Sequence, residues 1–384
     1  MGVQALAGSW RAALAGAVAL SAVATGAQAA EFKPDEVTVE PAITAKSRAY
    51  VMDIAINHIS DGKLHVVDGD TLAYLGVIGT GFTGQIILSQ DKKEIYVATG
   101  YLSRGQRGDR TDIVEVWDAD TLQFKYEIPI SDKRAMALNY EGLVALSANG
   151  RWLFVQNSTP ATSVTVVDMQ ERKMVGEIPM PGCWAMYPAQ SNPNRFASLC
   201  GDGTVATITL DNSGNVASRA SSEKVFDPDA DAWFMQGEQD GDLYYFVSFK
   251  GYLAAVNVAG DTAKVEGTWP LVRGADAKKN WRPGGYQVLA LANGKLYVPM
   301  HPGGAEGSHK NPAIEIWAID LATKKRVARL PGRNAVSLEA SSDGTKLYAM
   351  DVHKMELVVY DRLGGKPRIR STQVGEIALQ LGAN

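Results

Sequence analysis

Short apolar runs punctuated by polar turns recur along almost the whole chain, and many of the runs end in aspartate. Leu64-His65-Val66-Val67-Asp68, Val114-Glu115-Val116-Trp117-Asp118 and Val164-Thr165-Val166-Val167-Asp168 place three such aspartates 50 residues apart. The series continues through Ala206-Thr207-Ile208-Thr209-Leu210-Asp211 and Leu253-Ala254-Ala255-Val256-Asn257-Val258. It ends with Ile314-Glu315-Ile316-Trp317-Ala318-Ile319-Asp320 and Leu357-Val358-Val359-Tyr360-Asp361, seven copies in all. A second phrase precedes several copies, a polar turn followed by an aromatic-bearing strand. Examples are Ser89-Gln90-Asp91-Lys92-Lys93-Glu94-Ile95-Tyr96-Val97, Ser147-Ala148-Asn149-Gly150-Arg151-Trp152-Leu153-Phe154-Val155 and Ser342-Asp343-Gly344-Thr345-Lys346-Leu347-Tyr348-Ala349. β-branched and aromatic residues favour pleated, half-buried strands, and Asn-Gly or Asp-Gly favours tight hairpin turns.

A repeat of roughly 40 to 60 residues, each carrying about four strands, reads as a β-propeller. One such unit cannot bury both faces of its sheet, so the units must close a ring. The expected fold is an all-β, seven-bladed β-propeller at residues 48–384, about 51 residues per blade. An extended N-terminal arm with Pro34 and Pro41 precedes it at residues 30–47. No helical periodicity competes in the mature chain.

The first residues differ from everything after them. Arg11 is their only charge; an Ala-rich apolar run follows, and Ala27-Gln28-Ala29 offers small residues to a signal peptidase. The pattern predicts a cleavable secretory signal over residues 1–29, the apolar run being too short for the roughly 20 residues a span requires. No later segment is long and apolar enough to span a membrane. Export implies an oxidising compartment.

The remaining composition narrows the function. With 46% hydrophobic and 21% charged residues the chain is neither disordered nor fibrous. Its net charge of −4 lacks the basic excess of a broad nucleic-acid surface. Cys183 and Cys200 are its 2 cysteines. A turn at Ser191-Asn192-Pro193-Asn194 would bring them together as a structural disulfide, with two buried free thiols as the alternative.

Three loops carry more unusual residues than a plain propeller needs. The first, Tyr101 to Asp112, holds Arg104, Arg107, Asp109 and Arg110, either an ion-pair cluster at a subunit contact or a solvated loop. The second, Lys278 to Gln287, frames Arg-Pro-Gly-Gly with Trp281 and Tyr286, and Arg282 lies inside it. That is the composition of an interface anchor or a rigid inter-blade turn. The third, His301 to Lys310, contains His301, Glu306 and His309 at no recognised metal spacing, so no metal is expected. Phe82, among Gly79-Thr80-Gly81-Phe82-Thr83-Gly84, suits a packing plug or an exposed gate. No G-x-S-x-G, H-E-x-x-H or C-x-x-C-H signature occurs.

These loops and the cysteine pair carry a resemblance. The stretches Arg104 to Trp117, Gly182-Cys183-Trp184, Cys200-Gly201-Asp202-Gly203, Asn280 to Tyr286 and His301 to Trp317 resemble the heavy subunit of quinoprotein amine dehydrogenases. The Cys-Gly-Asp-Gly and histidine-loop details are nearer the aromatic amine branch than the methylamine branch. The resemblance implies a periplasmic two-heavy, two-light heterotetramer in which the light subunit carries tryptophan tryptophylquinone. That quinone takes two electrons from a primary amine, releasing aldehyde and ammonia, and an azurin- or amicyanin-like blue-copper protein accepts them singly. It further implies a heavy-chain disulfide at Cys183 and Cys200, Phe82 at the entrance of the substrate channel, and no catalytic residue or cofactor in this chain. Arg104, Arg107, Asp109, Trp281, Arg282, His301 and His309 are the candidates for the subunit interface. The alternatives are a stand-alone, lactonase-like propeller hydrolase and a non-enzymatic binding propeller.

Overall fold

The computed structural model describes residues 41–136 and 139–384. The expected leader, and the arm before Pro41, lie outside the described residues. Among the described residues from Arg48 onward, antiparallel strands joined by turns and loops build the fold, and each helix between them is a single turn.

The recurring aspartate has a local cause. Asp118 Oδ1 accepts the backbone N–H of Asp120 at 3.0 Å and of Thr121 at 2.8 Å, and also the Thr121 hydroxyl at 3.0 Å. Leu122 then adopts φ 55°, which reverses the chain into the next strand. Asp68 with Thr71 and Leu72, and Asp320 with Thr323 and Lys324, repeat this arrangement. Asx-capping of this kind supplies acceptors for turn amides that the sheet leaves unpaired. The serine phrase is equally local. Trp152 N donates to Ser147 Oγ at 2.9 Å, and Ser147 Oγ donates to Asn149 Oδ1 at 2.9 Å. Ser89 with Asp91 and Ser341 with Asp343 do the same.

Strands joined by these turns form a propeller. Five sheets are separate and four-stranded. The first contains Arg48–Asp53, Gly62–Asp68 and Tyr74–Gly81; the C-terminal strand Ala378–Ala383 pairs with Arg48–Asp53 as its inner strand and closes the ring. The next four run through residues 85–130, 144–179, 183–221 and 238–270.

The expected count of seven separate blades is not met. Five stand alone, and the sixth and seventh sequence copies share one eight-stranded sheet. The cause is the 16-residue strand Lys325–Ala340. Its first half pairs with Ala313–Asp320 and its second half with Lys346–Asp351, so it is the edge of one half-sheet and the start of the next. The bend lies at Arg333 and Asn334, at φ 53° and 55°. Beside it, a Cβ on Gly332 would stand 2.4 Å from the Ala313 carbonyl oxygen, so only glycine fits.

The hydrophobic core lies between the faces of successive sheets. Trp152 and Phe154 of one sheet pack on Phe196 and Met186 of the next, with the Phe154 and Phe196 rings 4.6 Å apart. Trp269, Trp281 and Trp317 fill the layer between the fifth blade and the double sheet. Ahead of the first strand, Ile43 N donates to Asp120 O at 2.7 Å, and the Arg48 guanidinium donates to Asp120, Ala119 O and Ile43 O.

Candidate functional site at one rim and the central channel

Every inner strand starts at the same end of the ring. The connectors from outer to inner strands therefore emerge there, together with the loops between second and third strands. All the sequence candidates fall in or beside these segments. Phe82 is in the connector before Gln85–Leu88, and Arg104, Arg107 and Asp109 are in the loop after Glu94–Leu102. Cys183 starts an inner strand and Cys200 ends its neighbour. Trp281 precedes the double sheet, Arg282 lies in its first short strand opposite His301, and His301 and His309 bracket the loop after Lys295–His301.

Their environments differ. Arg104, Arg107 and Asp109 are exposed in a tight loop closed by Arg104 N on Arg107 O at 3.0 Å. The ion pair there is made by Arg110 instead, whose Nε donates to Asp112 Oδ1 at 2.7 Å. His309 is exposed, and its backbone oxygen receives Gly285 N at 2.9 Å. Trp281 and His301, however, are buried by this chain itself, at 6% and 3% exposure. Trp281 packs 5.3 Å from Trp317 under Arg329, so it supports the rim from beneath and offers no contact surface. His301 Nδ1 faces Pro302 O at 3.1 Å while its Nε2 has no hydrogen-bond partner. Among the described residues no group of three or more His, Cys, Asp or Glu side chains is placed to hold a metal ion.

Cys183 and Cys200 face each other directly in the strand register and are bonded, with Cα atoms 3.9 Å apart. The bond joins the start of an inner strand to its neighbour at the rim.

Inside the rim the channel is lined by groups the sequence did not single out. Glutamines clasp neighbouring inner strands as if they were peptide groups. Gln236 Oε1 accepts Leu289 N at 2.7 Å and its Nε2 donates to Leu289 O at 2.9 Å. Gln287 holds both backbone groups of Leu381, and Gln380 both of Ile86. Three glutamates sit against these clasps. Gln236 Nε2 also lies 2.8 Å from Glu141 Oε2 and 3.1 Å from Glu238 Oε1, and Gln287 Nε2 donates to Glu339 Oε2 at 2.7 Å. The two hydrogens on Gln236 Nε2 face three acceptors, so Glu141 and Glu238 compete for one donor.

Burial pushes Glu141 up to about 7, against the lowering effect of Gln236. Burial and then the nearby Glu141 charge push Glu238 and Glu339 well above the ordinary carboxylate range. Each glutamate keeps some access to channel water, but protein surrounds it on every side, and that enclosure decides the direction. A cavity of about 220 Å³ reaches Glu141 and Glu238 beside Tyr187 and Tyr244. Nearer the rim, one of about 170 Å³ is lined by Tyr140, Trp233, Phe234, Met235 and Tyr286, with the Tyr140 and Tyr286 rings 6.1 Å apart. No motif marks these residues. The available signal was a glutamine or glutamate at or beside successive inner strands.

Taken together, the fold and site define a propeller whose single rim gathers the distinctive loops around the mouth of an acidic channel. Sequence comparison specifies the family. The model of the methylamine dehydrogenase heavy chain matches residues 45–380, and the chain belongs to that family. Methylamine dehydrogenase heavy chains of Methylobacillus flagellatus and Methylorubrum extorquens are 26% and 25% identical to it. The alignments cover 89% and 96% of this chain and 86% and 90% of theirs. Among solved structures, a periplasmic gluconolactonase of Pseudomonas aeruginosa matches with TM-score 0.61 at 16% identity, covering 88% of this chain and 98% of that one. That likeness is one of fold.

Proposed function

We propose that this chain is the heavy subunit of an exported amine dehydrogenase that oxidatively deaminates primary amines, with aromatic amines favoured over methylamine. The observation that carries this reading is the family match over residues 45–380, on a ring whose distinctive loops share one rim. In this reading that rim receives a light subunit, in a two-heavy, two-light assembly in the periplasm. The tryptophan tryptophylquinone of the light subunit supplies the two-electron chemistry, and a blue-copper protein takes the electrons away. Exposed Arg104, Arg107, Asp109 and His309 meet the partner directly, and Arg282, Trp281 and His301 shape the surface beneath. The disulfide fixes the strands at the rim, and Phe82 lines the substrate entrance. The gluconolactonase likeness adds no catalytic reading, since it extends only to the fold.

Affinity purification of the tagged chain from its native periplasm tests the proposal. The expected result is a co-purifying small chain with quinone absorbance and amine-dependent dye reduction, while the separated heavy chain is inert. Recovery of the chain alone, or lactone hydrolysis by the single chain, would overturn it.

A further inference from the structure

The connector that carries Phe82 is gripped with unusual completeness. Gly81 and Thr83, on either side of it, have φ 56° and 45°, and positive φ at a β-branched residue persists only where the surroundings impose it. Phe82 N donates to Gly100 O at 2.9 Å, and Thr80 O accepts the Thr99 hydroxyl. The next three carbonyls are held from the following connector. The Arg134 guanidinium donates to Phe82 O at 2.7 Å and Thr83 O at 3.0 Å, and Asn139 Nδ2 donates to Gly84 O. Thr83 Oγ1 in turn donates to Met136 O at 3.1 Å. The backbone on both sides of Phe82 is therefore fixed, while its side chain remains partly exposed.

Arg134 is an expensive choice for that task. It is 1% exposed, its guanidinium bonds are to carbonyl oxygens, and its Nε has no hydrogen-bond partner. Its nearest carboxylate, Asp112, is engaged by both arms of Arg110 and accepts the Arg134 backbone N–H at 3.1 Å. Arg110 Nη2 also reaches Arg134 O at 3.1 Å. Burying a cation costs several kcal/mol unless its hydrogen bonds recover it, and here the recovered bonds run into the Phe82 turn. A planar fork spans two successive carbonyls, which a lysine ammonium cannot do with the same orientation.

We propose that Arg134 is a positioning residue for amine selectivity: by holding the Phe82 and Thr83 carbonyls it sets the direction in which the Phe82 ring projects at the substrate entrance. This rests on the reading of Phe82 as the entrance residue. Small misplacements of a positioning group change rates by large factors, so the effect should be measurable.

The experiment uses the assembled enzyme with its light subunit and measures kcat and KM for methylamine and for an arylalkylamine. In Arg134→Lys the ratio of the two kcat/KM values is expected to shift about tenfold, mainly through KM, with quinone absorbance unchanged. In a Phe82→Ala background the same Arg134→Lys change is expected to leave that ratio where Phe82→Ala puts it. A ratio unmoved by Arg134→Lys but moved by Phe82→Ala overturns the positioning role while keeping the entrance reading. A ratio that Phe82→Ala itself fails to move overturns the entrance reading and the proposal with it. If Arg134→Lys does not assemble, Arg134→Gln, whose amide can no longer span both the Phe82 and Thr83 carbonyls, is judged by the same ratio and the same double variant.

Discussion

Replacing Glu141 with glutamine should make the protein more stable above neutrality and leave it nearly unchanged at pH 5. The carboxyl is pushed from 4.5 to about 7 by burial, so the folded state binds a proton there that the unfolded chain has released. A carboxyl raised on folding contributes least at high pH: stability falls as the pH climbs from the unfolded value toward the folded one, and stays lower above it. At 1.36 kcal/mol per pH unit, the whole displacement corresponds to at most about 3 kcal/mol. Channel water screens part of this. Glutamine keeps a hydrogen bond to Gln236 and removes the charge that also raises Glu238 and Glu339. The expected gain at pH 8 is therefore about 2 to 3 kcal/mol, or roughly 3 to 4 °C in Tm for a chain of this size. Differential scanning calorimetry of both proteins between pH 5 and pH 8 measures it. Parallel Tm curves across that range, or a Glu141→Gln protein weaker at pH 8, would refute the assignment of a buried, protonatable centre to the channel.

Removing the disulfide with a Cys183→Ser/Cys200→Ser pair should cost about 3 kcal/mol through unfolded-state freedom over a separation of 17 residues. The check is urea unfolding, with a slope that rises as the unfolded chain opens, and a loss below about 1 kcal/mol would show that the sheet register alone fixes the rim. Asp118→Ala should cost about 1 kcal/mol by leaving the Asp120 and Thr121 amides without their acceptor, measured by the same titration. Lys125→Met, which breaks an exposed pair with Glu94, should change stability by less than that turn variant, a comparison that separates capping from surface charge.

The turns are the part of the structure most legible in the chain. The Asp-x-x-Thr and Ser-x-Asp/Asn phrases name the side chains that satisfy their own turn amides, so their recurrence exposes the repeat unit. The cysteine pair was legible too, since one turn between two strands places Cys183 opposite Cys200. The joining of the last two copies was not. Lys325–Ala340 has strand-like composition on both sides of its bend, and the reason for the bend is a neighbouring backbone, Ala313, pressed against Gly332.

The sequence by itself determined the all-β repeat, its turn chemistry and the family, because each depends on residues close together in the chain or on motifs spread along it. Tertiary structure alone decided which candidates stay exposed, burying Trp281 and His301 while leaving Arg104 and His309 at the surface. It also decided the channel. Glu141, Glu238 and Glu339 come from segments about a hundred residues apart, and only ring closure brings their charges into one poorly hydrated space. Arg134 is a further case: beside Lys133 it has the look of a solvated loop cation, and its burial under the Phe82 turn exists only once two adjacent connectors meet at the rim.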